Sequence, residues 1–279
     1  MSVELISEDR TKEVPPARRR RGRPPLFWRV TRETLPVWVF FALIAAWWAA
    51  VAIVKVPAFL LPPPEDVLPR IWESRQSLTN HSLVTIQEIV MGFGLSVVTA
   101  IPIGLLIALS LTAKRMLYPL LVFIQLVPKI AVAPLFVVWL GFGLTSKVML
   151  TLLLTFFPLL LASIAGFQIL DQRLLFLTRS MGATTWQTFR YLRFPAALPV
   201  IFGGLKTSAT IAATAAIVAE FVGSNKGLGY ILLQGTANLD TTLVFAVLFL
   251  LTIIGLALNT IVEVVEYIIT PWQRGQAKT

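Results

Sequence analysis

The chain has no cysteine, a single histidine (His81) and little charge, with 14% of its residues Asp, Glu, Lys or Arg. Soluble domains carry about a quarter. Each shortage excludes a class of chemistry. Without cysteine there is no disulfide, thiolate metal site or cysteine nucleophile. One histidine cannot build a metal cluster or a histidine proton relay, and His81 lies outside any span core, where the Ser–His set of an intramembrane enzyme would need it. No catalytic residue and no resident metal are therefore expected. The scarce charge cannot cover a soluble globule: 56% of the 279 residues are hydrophobic and the mean hydropathy is +0.78. That excludes an ordinary soluble domain and a disordered chain alike. The charge is also lopsided, 24 Lys and Arg against 14 Asp and Glu. In a membrane protein such a bias marks cytoplasmic loops, so no nucleic-acid partner is expected.

What is abundant is long apolar runs. A crossing helix needs about 20 mainly apolar residues. The runs predict six spans, at 35–54, 83–113, 116–143, 148–170, 198–222 and 241–268, in a membrane domain over 35–272. The fold class is thus all-α and polytopic. The third run contains Pro119, Pro128 and Pro134, which makes it either one kinked helix or a helix followed by a re-entrant piece. The first run lies too far along the chain, and ends without the small-residue pattern, to be a cleaved signal. With the N-terminus inside, 17 of the 24 Lys and Arg fall inside. Lys55, Arg70, Arg75, Lys147 and Lys226 fall outside, and Lys129 and Lys206 lie within spans. Both termini are then cytoplasmic.

Residues 1–34 are charged and proline-bearing, with no apolar period. They predict a disordered basic tail, its Arg18–Arg21 run resting on anionic lipid. Residues 273–279 form a second cytoplasmic tail. In the outer loop, Pro62, Pro63 and Pro64 precede an amphipathic helix over 67–76, either a packed cap or a contact for a delivery protein.

The longest inner loop, 171–199, is not a plain connector. Leu174, Leu175, Leu177 and Met181 make one helical stripe, and Trp186, Phe189, Tyr191 and Leu192 a second, stopped by Pro195. Gly182 stands between them, where positive φ allows a sharp break. These aromatics either pack onto the inner ends of the spans or enter a partner protein as anchors. Arg179 and Arg190 can pair with acidic groups on that partner or with lipid phosphate.

Ionisable groups within spans are costly and face the interior or a cavity. Lys129 sits between Pro128 and Pro134, where Pro128 frees a carbonyl near residue 124. It has two readings: a structural pair with Glu220 or Glu88, or a cation lining a pathway for a polar or anionic solute. Gln125, Pro128 and Glu220 belong to that candidate pathway. Gln125 can equally bridge helices, and Glu220 can be solvated at the outer end of its span. His81 is expected to be solvated. Glu263 and Glu266 are expected to face the loop arginines. The glycines and alanines of the second and fifth spans allow close helix approach, within one subunit or at a seam between two.

The loop resembles the EAA loop of permease subunits of bacterial ABC importers. With Gly182 on that motif's glycine, Leu192 falls on its isoleucine and Phe194-Pro195 on its Leu-Pro. The opening triad is replaced by Phe176, Leu177 and Thr178. The stretch from Arg179 to Phe189 is similar to the nitrate/sulfonate/taurine branch. So are Pro128–Leu135, Trp139–Lys147, Phe156-Phe157-Pro158, Ala219-Glu220-Phe221 and Gly227–Tyr230.

The resemblance implies the type I importer fold and a subunit that transports nothing alone. Two copies would form the pathway in a bacterial cytoplasmic membrane. The loop would dock as a coupling helix on a cytoplasmic ATPase dimer, through Arg179, Ser180, Met181, Gly182, Ala183, Thr184, Trp186 and Pro195. A periplasmic or lipid-anchored binding protein would deliver the substrate, of the nitrate, sulfonate, taurine or thiamine-pyrimidine-precursor class. No cofactor is implied, ATP being bound by the partner. The chain itself has no phosphate loop, since Gly203-Gly204-Leu205-Lys206-Thr207 lacks the spacing. The alternative is a secondary transporter acting without an ATPase, which would need coupling acids at mid-membrane and paired repeats.

Overall fold

The computed structural model describes residues 26–272. The expected tails lie outside that range, except that 26–34 begin the first helix. All regular structure among the described residues is helical. The chain divides into two compact units, the first ending at Ala49 and the second beginning at Ala50. Helix α1 (Leu26–Val54) accounts for the described part of the first. From Trp38 onward its side chains are largely exposed, as an apolar helix facing lipid or another subunit would be.

In the second unit, α2 (Pro64–Glu73) is followed by α3 (Arg75–Leu109) and α4 (Leu111–Leu126). A 3-10 turn (Lys129–Val132) leads into α5 (Ala133–Leu140). Then come α6 (Leu144–Phe167), α7 (Gln172–Ser180) and α8 (Thr185–Thr188). A π-helical turn (Phe189–Arg193) joins α8 to α9 (Phe194–Gly223), and α10 (Leu228–Ala237) and α11 (Thr241–Ile269) complete the unit.

Three long helices form the centre. Gly92 and Gly104 of α3 lie against Thr151 and Ser163 of α6, so these two run parallel. Gly166 of α6 meets Ala197 of α9, and Gly204 of α9 meets Ala162, so α9 runs antiparallel. At Gly104 and Gly204 an added Cβ would overlap its neighbour. The close approach therefore requires glycine, as small residues permit between membrane helices. Ala209, Ala212, Ala213, Ala215 and Ala216 are buried, Ala212, Ala213 and Ala216 packing with Ile89 of α3. The small residues of the fifth run thus serve packing within this chain. Helix α11 lies antiparallel to α9, held by a Lys206–Glu266 ion pair of 2.6 Å. Glu266 thus faces Lys206 rather than the loop arginines.

Among the described residues, α3, α6, the continuous run from Thr185 to Gly223, and α11 are each long and apolar enough to cross a membrane. The pair formed by α4 and the segment Lys129–Leu140 makes a fifth crossing if taken together, bent by 76°. The apolar stretch Trp38–Val54 is shorter.

The boundaries differ from the hydropathy reading for local reasons. The second run ends at Leu109 rather than 113. Ser110 is extended and caps α4, its hydroxyl accepting from the Ala113 amide at 3.2 Å, so Lys114 and Arg115 lie within the first two turns of α4. Pro195 does not stop the second loop stripe. The π turn before it carries the helix through into α9, and such one-turn insertions recur at functional sites.

Candidate functional site

Two assemblies of polar side chains stand at opposite ends of the α3–α6–α9 centre. At one end is the α7–α8 loop. Asp171 caps α7, its carboxylate accepting from the Arg173 amide at 2.9 Å. The far end of α7 closes in a Schellman motif. The Ala183 amide donates to the Thr178 carbonyl and the Gly182 amide to that of Arg179, both at 3.0 Å. Gly182 adopts the required positive φ of 76°.

Two residues later a capping box starts α8. The Thr184 hydroxyl accepts from the Gln187 amide (3.2 Å) and the Gln187 side chain accepts from the Thr184 amide (2.8 Å). The loop is thus a turn fixed on both sides by its own hydrogen bonds. The Thr-x-x-Gln signal for its second half was present in the sequence and was passed over there.

Rings join this turn to the bundle. Trp186 stacks on Phe189 at 5.8 Å, and Phe189 contacts Phe167 of α6 at 6.3 Å and Phe194 of α9 at 6.0 Å. Of the two expectations for the loop aromatics, packing onto the helix ends holds for Phe189. Met181, Trp186 and Tyr191 remain 78, 64 and 71% exposed. Arg179, Ser180, Gly182 and Thr184 are also on the surface, while Ala183 and Pro195 are half-buried. Arg179, Arg190 and Arg193 make no ion pair among the described residues.

At the other end, α3, α6 and α9 bury a charged cluster. The Lys147 ammonium donates to Glu88 Oε1 at 2.8 Å and to the Ser224 hydroxyl at 2.6 Å. Glu88 and Glu220 are fully buried. Glu220 accepts from the Thr85 hydroxyl at 2.6 Å and from the Gly229 amide. Thr85 Oγ1 in turn accepts from the Leu228 amide at 2.8 Å, and His81 Nδ1 from the Gly227 amide at 2.9 Å. The side chains of α3 and α9 thus occupy the N-terminus of α10, whose first amides have no partner inside the helix. Gly227, with φ of 108°, lets the turn close over Glu220, where a Cβ would overlap the carboxyl group.

This cluster corrects several expectations. Lys147 is not a loop cation but a buried one within α6, and it is the partner of Glu88. Glu220 is not solvated; it ties α9 to α3 and α10. His81 is half-buried and stacks on Tyr230 at 6.0 Å. The hydropathy count missed Lys147 because a lysine at the edge of an apolar run looks the same whether it snorkels or turns inward. Nearby, Arg70 of α2 donates to Asp240 at 2.6 Å. That hydrogen bond raises the Arg70 guanidinium above its ordinary value.

Lys129 pairs with neither glutamate. Its ammonium donates to the Gln125 carbonyl at 2.8 Å and lies 5.1 Å from the centre of the Phe157 ring. Pro128 and the turn after it interrupt the helix, so the lysine's side chain takes the carbonyl its amide would have bonded. The freed carbonyl is that of Gln125, not residue 124, whose oxygen accepts from the Val127 amide. Gln125 and Lys129 are half-buried and Pro128 is exposed. On α9, Thr207, Thr210 and Thr214 form an exposed hydroxyl face.

Comparison with known proteins decides what this architecture is for. The family of binding-protein-dependent transport system inner membrane components matches residues 100–275, well over half of the chain. The chain belongs to this family. Among its relatives, the riboflavin transport system permease protein RibX of Chloroflexus aurantiacus is 36% identical, over 86% of this chain and 90% of that one. The formylaminopyrimidine transport permease protein ThiX of Halalkalibacterium halodurans is 35% identical, over 86% and 96%. The taurine transport system permease protein TauC of Escherichia coli is 28% identical, over 88% and 92%. The inward-facing MetNI methionine ABC transporter shares the fold, with a TM-score of 0.55 over 71% of this chain and 98% of that one at 21% identity. The protein is accordingly a multi-pass membrane permease subunit of an ABC importer, a transport component and not an enzyme. The secondary-transporter alternative is set aside.

Proposed function

We propose that this permease imports a small polar organic solute carrying a nitrogen heterocycle, as the names of its riboflavin and formylaminopyrimidine relatives indicate for those proteins. Two copies form the pathway, a cytoplasmic ATPase dimer drives it, and a periplasmic or lipid-anchored binding protein supplies the solute. Both termini and the α7–α8 loop are cytoplasmic, and the buried charge cluster lies toward the outer face.

The observation that carries the coupling reading is the α7–α8 turn. Its backbone is fixed by a Schellman motif and a capping box, its rings are anchored to α6 and α9, and its tip is exposed. A rigid tip on a ring-packed base can transmit a push from a partner to the spans. Arg179 to Thr184 and Trp186 make the contact, and Pro195 follows the π turn where the push enters α9. An exposed hydroxyl face on a crossing helix is poorly suited to lipid, which supports placing Thr207, Thr210 and Thr214 on the pathway or the seam with a second copy. Lys129, unpaired with any acid in the described residues, supplies the pathway cation beside Gln125 and Pro128. Glu220 belongs to the buried charge cluster and reaches the pathway only when that cluster opens.

Reconstitution with the partner ATPase and binding protein tests this. Uptake of a formylaminopyrimidine or flavin should require all three components and ATP. Uptake by the permease alone would overturn the reading. Uptake of taurine or an alkanesulfonate to the exclusion of heterocycles would overturn the substrate class. Lys129→Met should impair uptake of an anionic solute, and unchanged uptake would remove the pathway cation.

A further inference from the structure

Behind the α7–α8 turn, on the side facing α3, lies a cavity of about 700 Å³. Its apolar wall is built by Leu105 and Leu109, from the last turns of α3, together with Leu175 of α7 and the Trp186 ring. Two guanidinium groups, Arg179 and Arg193, also line it. Among the described residues no carboxylate does, and neither guanidinium has an ion pair or a side-chain hydrogen bond. Leu109 is where the apolar length of a crossing helix ends. With the loop placed on the cytoplasmic side, as proposed above, the cavity falls at the depth where hydrocarbon gives way to headgroup, with cations and an indole where such groups settle in membranes. An unpaired Arg pair with planar donor geometry matches a phosphate, and the leucine wall matches an acyl chain.

We infer that this cavity is a binding site for an anionic phospholipid, its phosphate on Arg179 and Arg193 and its chain along Leu105, Leu109 and Leu175. The site adjoins the exposed tip of the loop: Met181 and Gly182 line a neighbouring cavity with Tyr191 and Leu192, and the two cavities share Ala183 and Thr188. Arg179, at the tip's edge, borders the lipid as well as the surface proposed for the ATPase. A lipid seated here would fill the space behind the coupling turn and stiffen it. An acidic partner side chain could satisfy one guanidinium but would leave the leucine wall uncovered. The inference rests on the proposed cytoplasmic placement of the loop, since anionic lipid is concentrated in that leaflet.

The test uses the purified permease–ATPase complex in detergent micelles, and separately the permease alone. Equilibrium binding of a fluorescent phosphatidylglycerol is compared with that of phosphatidylcholine carrying the same chains. Phosphatidylglycerol should be preferred. Arg193→Gln should weaken it roughly fivefold, and the Arg179→Gln/Arg193→Gln pair roughly twentyfold or more. Arg193→Lys should retain most of the affinity, and Arg190→Gln, outside the cavity, should change nothing.

Equal binding of the two lipids would overturn the proposal, as would an unchanged double variant. Competition by glycerol phosphate as effective as that by the lipid would show a site for free anions instead. Displacement of lipid on adding the ATPase would assign the arginines to the protein contact. If Arg193→Gln does not fold, the Lys variant and the Leu109→Gln variant, which should lose lipid while keeping both guanidiniums, carry the decision. ATP-driven uptake measured alongside reports on the permease assignment independently.

Discussion

Gly182 offers a quantitative test because its role can be separated into space and backbone. A Cβ built on it meets no atom within 4 Å, so a methyl group at this position costs no packing in this chain. Its φ of 76°, by contrast, places any L side chain in the left-handed region. That costs roughly 1–2 kcal/mol for an ordinary residue, and strained positions of this kind reach about 3 kcal/mol; a β-branched residue belongs at the upper end. Asparagine visits the region routinely.

Escaping the strain by flipping φ would break the two 3.0 Å bonds of the Schellman motif, each worth about 1 kcal/mol net. A penalty near 2 kcal/mol shifts the turn's population by roughly thirtyfold. Solute imported per ATP hydrolysed, measured in proteoliposomes with the partner subunits, should therefore fall in the order glycine, asparagine, alanine, valine, with asparagine near wild type. Membrane insertion should be unchanged throughout. Valine equal to glycine would refute the claim that the turn's conformation transmits coupling. Equal failure of all three would show that a bound partner fills the open space, and that volume rather than backbone decides.

Other perturbations act at the opposite end. Lys147→Met leaves the buried Glu88 carboxyl group without its cation and should lower stability by about 3–5 kcal/mol; adding Glu88→Gln should recover much of that loss, as read in thermal unfolding of the purified protein. Gly227→Ala would press a methyl into the Glu220 carboxyl group and should destabilise more than Gly182→Ala, although both glycines have positive φ; equal losses would mean that the turn does not close tightly over Glu220. Thr184→Ala removes one half of the capping box and should cost about 1 kcal/mol of local stability, seen as faster amide exchange in the first turn after Gly182.

Fold class and the break between α7 and α8 were legible in the linear chain because each depends on near neighbours. Apolar run length sets a crossing helix, and Gly182 with Thr184 and Gln187 sets a turn through bonds spanning five residues or fewer. The break at Pro128 was legible for the same reason, since an imino residue removes a donor wherever it stands. The partners of charges were not legible. Glu88, Lys147 and Glu220 are separated by scores of residues, and only the parallel packing of α3 on α6, with α9 antiparallel to α6, brings them to one depth. Hydropathy assigned Lys147 to water and left Glu220 open between a pathway position, a partner for Lys129 and a solvated rim, because burial is a property of neighbours, and neighbours follow from how glycine and alanine let helices approach. The cavity behind the coupling turn likewise exists only where the end of α3 meets α7 and α8. Run length and local turn chemistry fix an all-helical chain with several helices long and apolar enough to cross a membrane; helix packing settles which charges neutralise one another and which arginines, among the described residues, stay without a counter-charge.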